Sequence, residues 1–157
     1  MIAIEDNQKN SRKVSGIICL FFAAMFFSLI SCTDYESSIP IRPVYINRIN
    51  AYGIKSVGTY LYIDKTTQAS DRIGFGGILV VHAYDDNFYA FDLACPVEAN
   101  EKVRISKPEG LICKCDSCGE SYDLTFGLGI PLNHISKQGL KRYSVNVNEN
   151  FNLTVTR

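Results

Sequence analysis

Hydrophobic positions fall into two regimes along this chain. Residues 17–30 are almost continuously apolar and carry no charge. After Ile39 the apolar positions come in short β-branched and aromatic runs broken by turn residues, which is the pattern of strands. Ile78-Leu79-Val80-Val81-His82-Ala83-Tyr84 and Phe88-Tyr89-Ala90-Phe91 flank Asp85-Asp86-Asn87, which predicts a hairpin with a short polar loop. Val103-Arg104-Ile105-Ser106 and Leu111-Ile112-Cys113 flank Lys107-Pro108-Glu109-Gly110 and predict a second. Tyr143, Val145 and Val147 alternate with polar residues, turn at Asn148-Glu149-Asn150, and continue into alternating Phe151, Leu153 and Val155, a third. Tyr60-Leu61-Tyr62-Ile63 is a further strand-like run, and the rest of residues 54–77 reads as irregular strand and loop. No helical repeat follows Ser38, and no segment is duplicated. The expected class is all-β.

The first regime has a different meaning. Lys9, Arg12 and Lys13 precede the apolar run as a positive n-region, the order of a secretory signal. At 14 residues the run is shorter than the roughly 20 that cross a bilayer; extending it to Val14 reaches the lower edge of that range, so an uncleaved anchor is the second reading. Leu29-Ile30-Ser31-Cys32 resembles the lipobox of bacterial lipoproteins, which implies cleavage before Cys32 and acylation of its sulfur. On that reading residues 1–31 are the signal peptide. Residues 32–43 are the lipidated cysteine and a flexible tether opening on Thr33-Asp34-Tyr35-Glu36-Ser37-Ser38, and residues 44–157 are the domain. Several acyl chains make attachment stable where a single chain binds marginally. The expected location is the cell envelope of a bacterium, lipid-anchored on the periplasmic side or the outer surface.

Charge narrows the partners. Residues 1–31 hold three of the 16 basic and two of the 16 acidic side chains, so the mature part is left with a net charge of about −1. That balance offers no nucleic-acid footprint. Its 126 residues suit one domain. The membrane is the one partner the sequence points to; an envelope protein partner is left unspecified.

Beyond Cys19 and Cys32, four cysteines remain within 24 residues: Cys95, Cys113, Cys115 and Cys118. Cys115-Asp116-Ser117-Cys118-Gly119 is a C-x-x-C-G knuckle, in which two sulfurs converge and the glycine permits positive φ. In an exported protein such a pair binds metal or is oxidised, and spacing does not separate the two.

Phe88-Tyr89-Ala90-Phe91-Asp92-Leu93-Ala94-Cys95-Pro96, together with Cys115-x-x-Cys118-Gly119-x-x-Tyr122-Asp123-Leu124, resembles the two metal-binding loops of Rieske iron–sulfur domains. The resemblance runs from about Gly76 to the C-terminus and includes Gly127-x-Gly129-x-Pro131 and Leu140-Lys141-Arg142-Tyr143. It implies a Rieske-like antiparallel β-sandwich with a small inserted two-loop subdomain of metal-binding type. The family's pattern is C-x-H, a spacer, then C-x-x-H, giving one iron two thiolates and the other two imidazoles. Here it reads Cys95-x-Val97, a gap of 17 residues, then Cys115-x-x-Cys118. The spacing is kept and the histidines are not. Many relatives also tie these loops with a disulfide, whose places hold Asn100 and Ser117 here.

Val97 has no donor atom, so a standard Rieske [2Fe–2S] cluster is not expected. Cys95, Cys115 and Cys118 would converge where the family's metal sits, with Cys113, Glu98 or His134 as candidates for a fourth ligand. Three readings stay open: a metal-free site of thiols or disulfides, which leads; a mononuclear metal such as zinc; and an atypical iron–sulfur cluster. Cys113 also reads as a small buried apolar residue. His82 reads as a core-edge or surface histidine and His134 as a loop histidine. No serine, histidine and acid arrangement and no phosphate-cradling loop is visible, so no catalytic residue is assigned and the chain reads as a non-enzyme. The expected function is that of a membrane-anchored envelope lipoprotein acting as a binding or accessory component; the alternative is a redox or electron-transfer protein using the cysteine loops.

Overall fold

The computed structural model describes residues 37–157. The signal peptide, Cys32 and the start of the tether lie outside the described residues.

Ten strands follow: β1 Val44–Asn50, β2 Tyr60–Ile63, β3 Arg72–Ile73, β4 Ile78–His82, β5 Phe88–Asp92, β6 Ile112–Lys114, β7 Ser121–Asp123, β8 Ile130–Pro131, β9 Arg142–Val147 and β10 Asn152–Thr156, with one 3-10 turn at Ala51–Ile54. Seven form a sheet in the order β2-β4-β5-β9-β10-β1-β3, and β6, β7 and β8 form a separate three-stranded sheet inserted between β5 and β9. The strand pairs are antiparallel. The fold is the all-β, antiparallel one the strand pattern predicts.

The continuous apolar run of β4 is explained by burial on both faces. Side chains alternate across a strand, and Ile78 and Val80 join one core with Val44, Ile46, Ala90, Leu153 and Val155. Leu79 and Val81 join the other, with Phe91, Leu93, Ile105, Tyr122 and Leu124. The first core gathers strands from both halves of the sheet order, so the sheet must curl over it. The second is the seam between the outer face of β4–β5 and the inserted sheet. Every residue of β4 is buried as a result.

The first and third predicted hairpins form as β4–β5 and β9–β10. The second forms only in outline. Residues 103–106 make no strand because their backbone bonds are divided between two partners: Cys95 donates to the Val103 carbonyl and Ile105 to that of Leu93, while Ser106 donates to Lys114. Only single bridges, Ala94 to Arg104 and Ile105 to Cys115, mark the crossing. That crossing stitches the first cysteine loop to the second.

Residues 37–43, read as the end of the tether, run along the domain. Ile39 is buried, the Ser38 hydroxyl donates to the Pro96 carbonyl, and Arg42 lies 5.1 Å over the Phe75 ring.

The turn into β4 has no room for a side chain. A Cβ on Gly76 would stand 2.4 Å from the Ala94 backbone nitrogen. Gly76→Ala is therefore expected to cost roughly 1–3 kcal/mol, as overpacking does. Urea unfolding measures it, and an unchanged midpoint would contradict the close packing of this turn on the first loop.

Candidate metal centre

Two loops with the same local geometry carry the cysteines. The first leaves β5, and Cys95 opens a turn that closes where the Ala99 N–H donates to the Cys95 carbonyl at 2.9 Å. The second leaves β6, and Cys115 opens a turn closed by the Gly119 N–H on the Cys115 carbonyl at 2.8 Å. Each turn ends on a left-handed residue, Ala99 at φ 47° and Gly119 at φ 80°. The expectation of a positive φ at Gly119 holds.

The turns face each other. The Sγ atoms of Cys95, Cys115 and Cys118 all lie within 4.8 Å of one another, with Cys95 and Cys118 at 3.6 Å. Cys95 and Cys115 are buried and Cys118 is half-buried, so the group is reached from the Cys118 side. The Tyr122 hydroxyl stands 3.8 Å from Cys95 Sγ. Backbone N–H groups of Glu98 and Glu120 are directed at the sulfurs of Cys95 and Cys118.

Burial pushes the Cys95 thiol up to about 12, and the neighbouring sulfurs of Cys115 and Cys118 add to the shift. It also raises Cys118, the Glu120 N–H working against the shift. Tyr122 is raised by burial and then by Cys95. Without a cation, Cys95 and Cys118 keep their protons at neutral pH, because burial penalises the thiolate.

The other candidates are placed apart from the three sulfurs. Cys113, on β6, belongs to the seam core with Leu79, Phe91 and Leu124, and burial raises it to about 12. Val97 is half-buried within the first turn. Glu98 is exposed and accepts a hydrogen bond from the Ser117 hydroxyl at 2.9 Å, reaching from the first turn to the second. His134 is exposed in the third loop at φ 56° and is outside the cysteine group. His82 is buried, its Nδ1 3.0 Å from the Ile54 carbonyl and its Nε2 2.8 Å from Asp86 Oδ1, and its ring stacks on Phe88 at 4.4 Å.

Two buried carboxylates organise the loops, and neither was singled out from the sequence. Asp92, at the end of β5, accepts from the N–H groups of Phe75, Gly76 and Ala94, each at 2.8 Å, and from the Tyr143 hydroxyl at 2.6 Å. Glu120 follows the knuckle. Its Oε1 accepts from Ser121 and Asn133 and its Oε2 from Ile135 and Ser136. Burial alone would raise this carboxyl, but the backbone donors of Asn133, Ser136, Ile135 and Ser121 outweigh it and hold the group below the usual carboxylate range. Glu120 thus ties the third loop to the knuckle. The available signal was parity: Glu120 shares a strand face with the motif residues Tyr122 and Leu124.

No family model matches this chain, and no curated protein matches it. Among solved structures it is similar to the quaternary ammonium Rieske monooxygenase CntA. The apo form gives a TM-score of 0.51 at 11% identity over 78% of this chain and 33% of that one. The complex with the inhibitor MMV12 gives 0.50 at 11% identity over 78% and 31%. The fold is Rieske-like. A chain from the complex of reduced oxygenase and oxidized ferredoxin in carbazole 1,9a-dioxygenase also matches, at 18% identity over 73% of this chain and 94% of that one, with a TM-score of 0.48. This chain spans about a third of the length of the monooxygenase.

A Rieske-like fold raises the question of a Rieske cluster, and the donor set here does not fit one. Such a cluster takes two imidazoles on one iron. The chain has two histidines. His82 has both ring nitrogens within hydrogen-bond distance of other groups, and His134 is outside the sulfur group. What the loops bring together is sulfur.

Proposed function

We propose that this chain is a lipid-anchored cell-envelope protein whose Rieske-like domain serves as a binding or accessory component and does not act as a standard Rieske electron carrier. One observation carries the reading: three cysteine sulfurs lie within 4.8 Å of one another, and no histidine belongs to the group. Lipid anchoring rests on the lipobox resemblance ending at Cys32. A second reading draws on the 3.6 Å approach of Cys95 and Cys118, which suits a thiol pair or an atypical iron–sulfur site passing electrons.

Fractionation and colour test the pair of readings. The chain, expressed with its own leader, is expected to stay with membranes through salt and carbonate washes and to be released by detergent. The purified protein is expected to be colourless. Recovery in the soluble fraction would contradict the anchored reading, and visible absorption that bleaches on reduction would favour the redox one.

A further inference from the structure

We propose that Cys95, Cys115 and Cys118 bind a single zinc ion and that the Glu98 carboxylate completes the site as fourth ligand. The inference rests on the reading that a sulfur site stands where relatives carry their cluster, and it commits that site to a metal and a ligand set.

Sulfur spacing supports one ion. Two thiolates each ~2.3 Å from zinc and set at the tetrahedral angle lie ~3.8 Å apart. Cys95 and Cys118 are 3.6 Å apart, and the three sulfurs stay within 4.8 Å. A binuclear centre would need ligands of its two metals to stand farther apart than ligands of one. These sulfurs form one compact group.

The two turns identify the fourth ligand. Cys95-Pro96-Val97-Glu98-Ala99 and Cys115-Asp116-Ser117-Cys118-Gly119 share the same closing hydrogen bond and the same left-handed fifth residue. Glu98 therefore occupies in the first turn the place that Cys118 occupies in the second. One turn offers two sulfurs, and the other offers a sulfur and a carboxylate. Zinc accepts carboxylate oxygen alongside thiolates. Ser117 already donates to Glu98 Oε1, which holds the carboxylate beside the knuckle. The carboxylate stands outside the 4.8 Å sulfur group, and the exposed side chain would swing in to ligate when the ion binds. The same hydroxyl would then serve as the outer partner that orients a ligand. Cys113 is committed to the apolar core.

Binding is a displacement without redox change. Zinc enters as a dication, three thiol protons leave to solvent, and four metal–ligand bonds form. The resulting group carries a net charge of −2, which the N–H groups of Glu98 and Glu120 directed at Cys95 and Cys118 partly offset.

The test uses the full chain in detergent, reduced and stripped of metal, titrated with cobalt(II) and then zinc(II). One cobalt per chain is expected, with intense visible bands of a tetrahedral ion and thiolate charge transfer in the near ultraviolet, displaced by one equivalent of zinc. X-ray absorption at the zinc edge should give three sulfurs at ~2.3 Å and one oxygen at ~2.0–2.2 Å. Cys95→Ser, Cys115→Ser and Cys118→Ser should each weaken zinc binding about 100-fold or more. Glu98→Gln should weaken it about 10–100-fold, and Cys113→Ala should leave it unchanged. Should a cysteine variant fail to fold, zinc protection of Cys95, Cys115 and Cys118 from alkylation in the natural chain replaces it. Four sulfurs at the metal would overturn the role of Glu98. No saturable one-to-one binding and no iron would overturn the zinc site while leaving the accessory reading standing. A cluster ligated by histidine would overturn both.

Discussion

Replacing Glu120 with alanine is expected to destabilise the domain by roughly 3–5 kcal/mol, one of the largest effects of any single side chain near the cysteine loops. The carboxylate answers four backbone N–H groups from inside the fold, two on each oxygen. Each buried donor left without an acceptor costs about 1–3 kcal/mol, less where water can reach it. Glutamine is no safe substitute. A carboxylate is all acceptor, whereas an amide would turn its NH₂ toward two of the four donors. Both variants should free the third loop from the knuckle, visible as faster hydrogen exchange at Asn133, Ile135 and Ser136. The same carboxylate sets an acid limit. Its folded value lies below the unfolded one of ~4.3, so the folded state binds fewer protons. Its stabilisation is complete above that unfolded value and is lost as pH falls from it toward the folded value. In Glu120→Gln that part of the acid slope should disappear. Urea unfolding between neutral pH and pH 3 measures both effects; a variant as stable as the natural chain would remove Glu120 from the account.

Cys32→Ser should abolish lipid incorporation and leave the precursor at full length, because acylation of that sulfur precedes cleavage in the lipoprotein reading. Metabolic labelling with a fatty-acid analogue, read beside the size of the product, measures this. Normal incorporation in the mutant would end the reading. The anchor also has a geometric consequence. Ser38 follows Cys32 by six positions, and its hydroxyl donates to the Pro96 carbonyl in the first cysteine turn. Extended chain covers at most ~3.6 Å per residue, so on the lipoprotein reading six steps of chain keep Ser38 within ~22 Å of the acylated sulfur.

The parts legible in the sequence were those governed by side-chain period and by spacing. Alternation in residues 143–155 and the polar break at 85–87 gave two hairpins in their right places, because register follows from which face must be buried. The doubly buried β4 showed itself as an unbroken run, Ile78-Leu79-Val80-Val81. The pairing of Cys115 with Cys118 was equally readable, since a short turn brings a fixed offset together, whereas Cys95 was joined to them only through the resemblance to the two metal-binding loops. What failed was whatever depended on long-range backbone bonds. Residues 103–106 looked like a strand, yet their hydrogen bonds go to two different loops, and no local pattern announces a divided partner. Asp92, at the end of an apolar run, and Glu120, beside the knuckle, were passed over because a carboxylate is ordinarily solvated. Only the fold shows the N–H groups that converge on them. The likeness between the turns at 95–99 and 115–119 was hidden for the same reason: Ala99 takes a left-handed φ that its identity does not advertise.

The central claim is that a Rieske-like fold here carries a sulfur site in place of an imidazole-ligated cluster. Its most direct test is anaerobic expression with iron supplied and histidine labelled with nitrogen-15, followed by elemental analysis and electron paramagnetic resonance of the reduced protein with its nuclear couplings. The account predicts no stoichiometric pair of irons and no nitrogen coupling to any signal, with metal held, where present, through Cys95, Cys115 and Cys118. Two irons per chain with coupling from histidine nitrogen would contradict it.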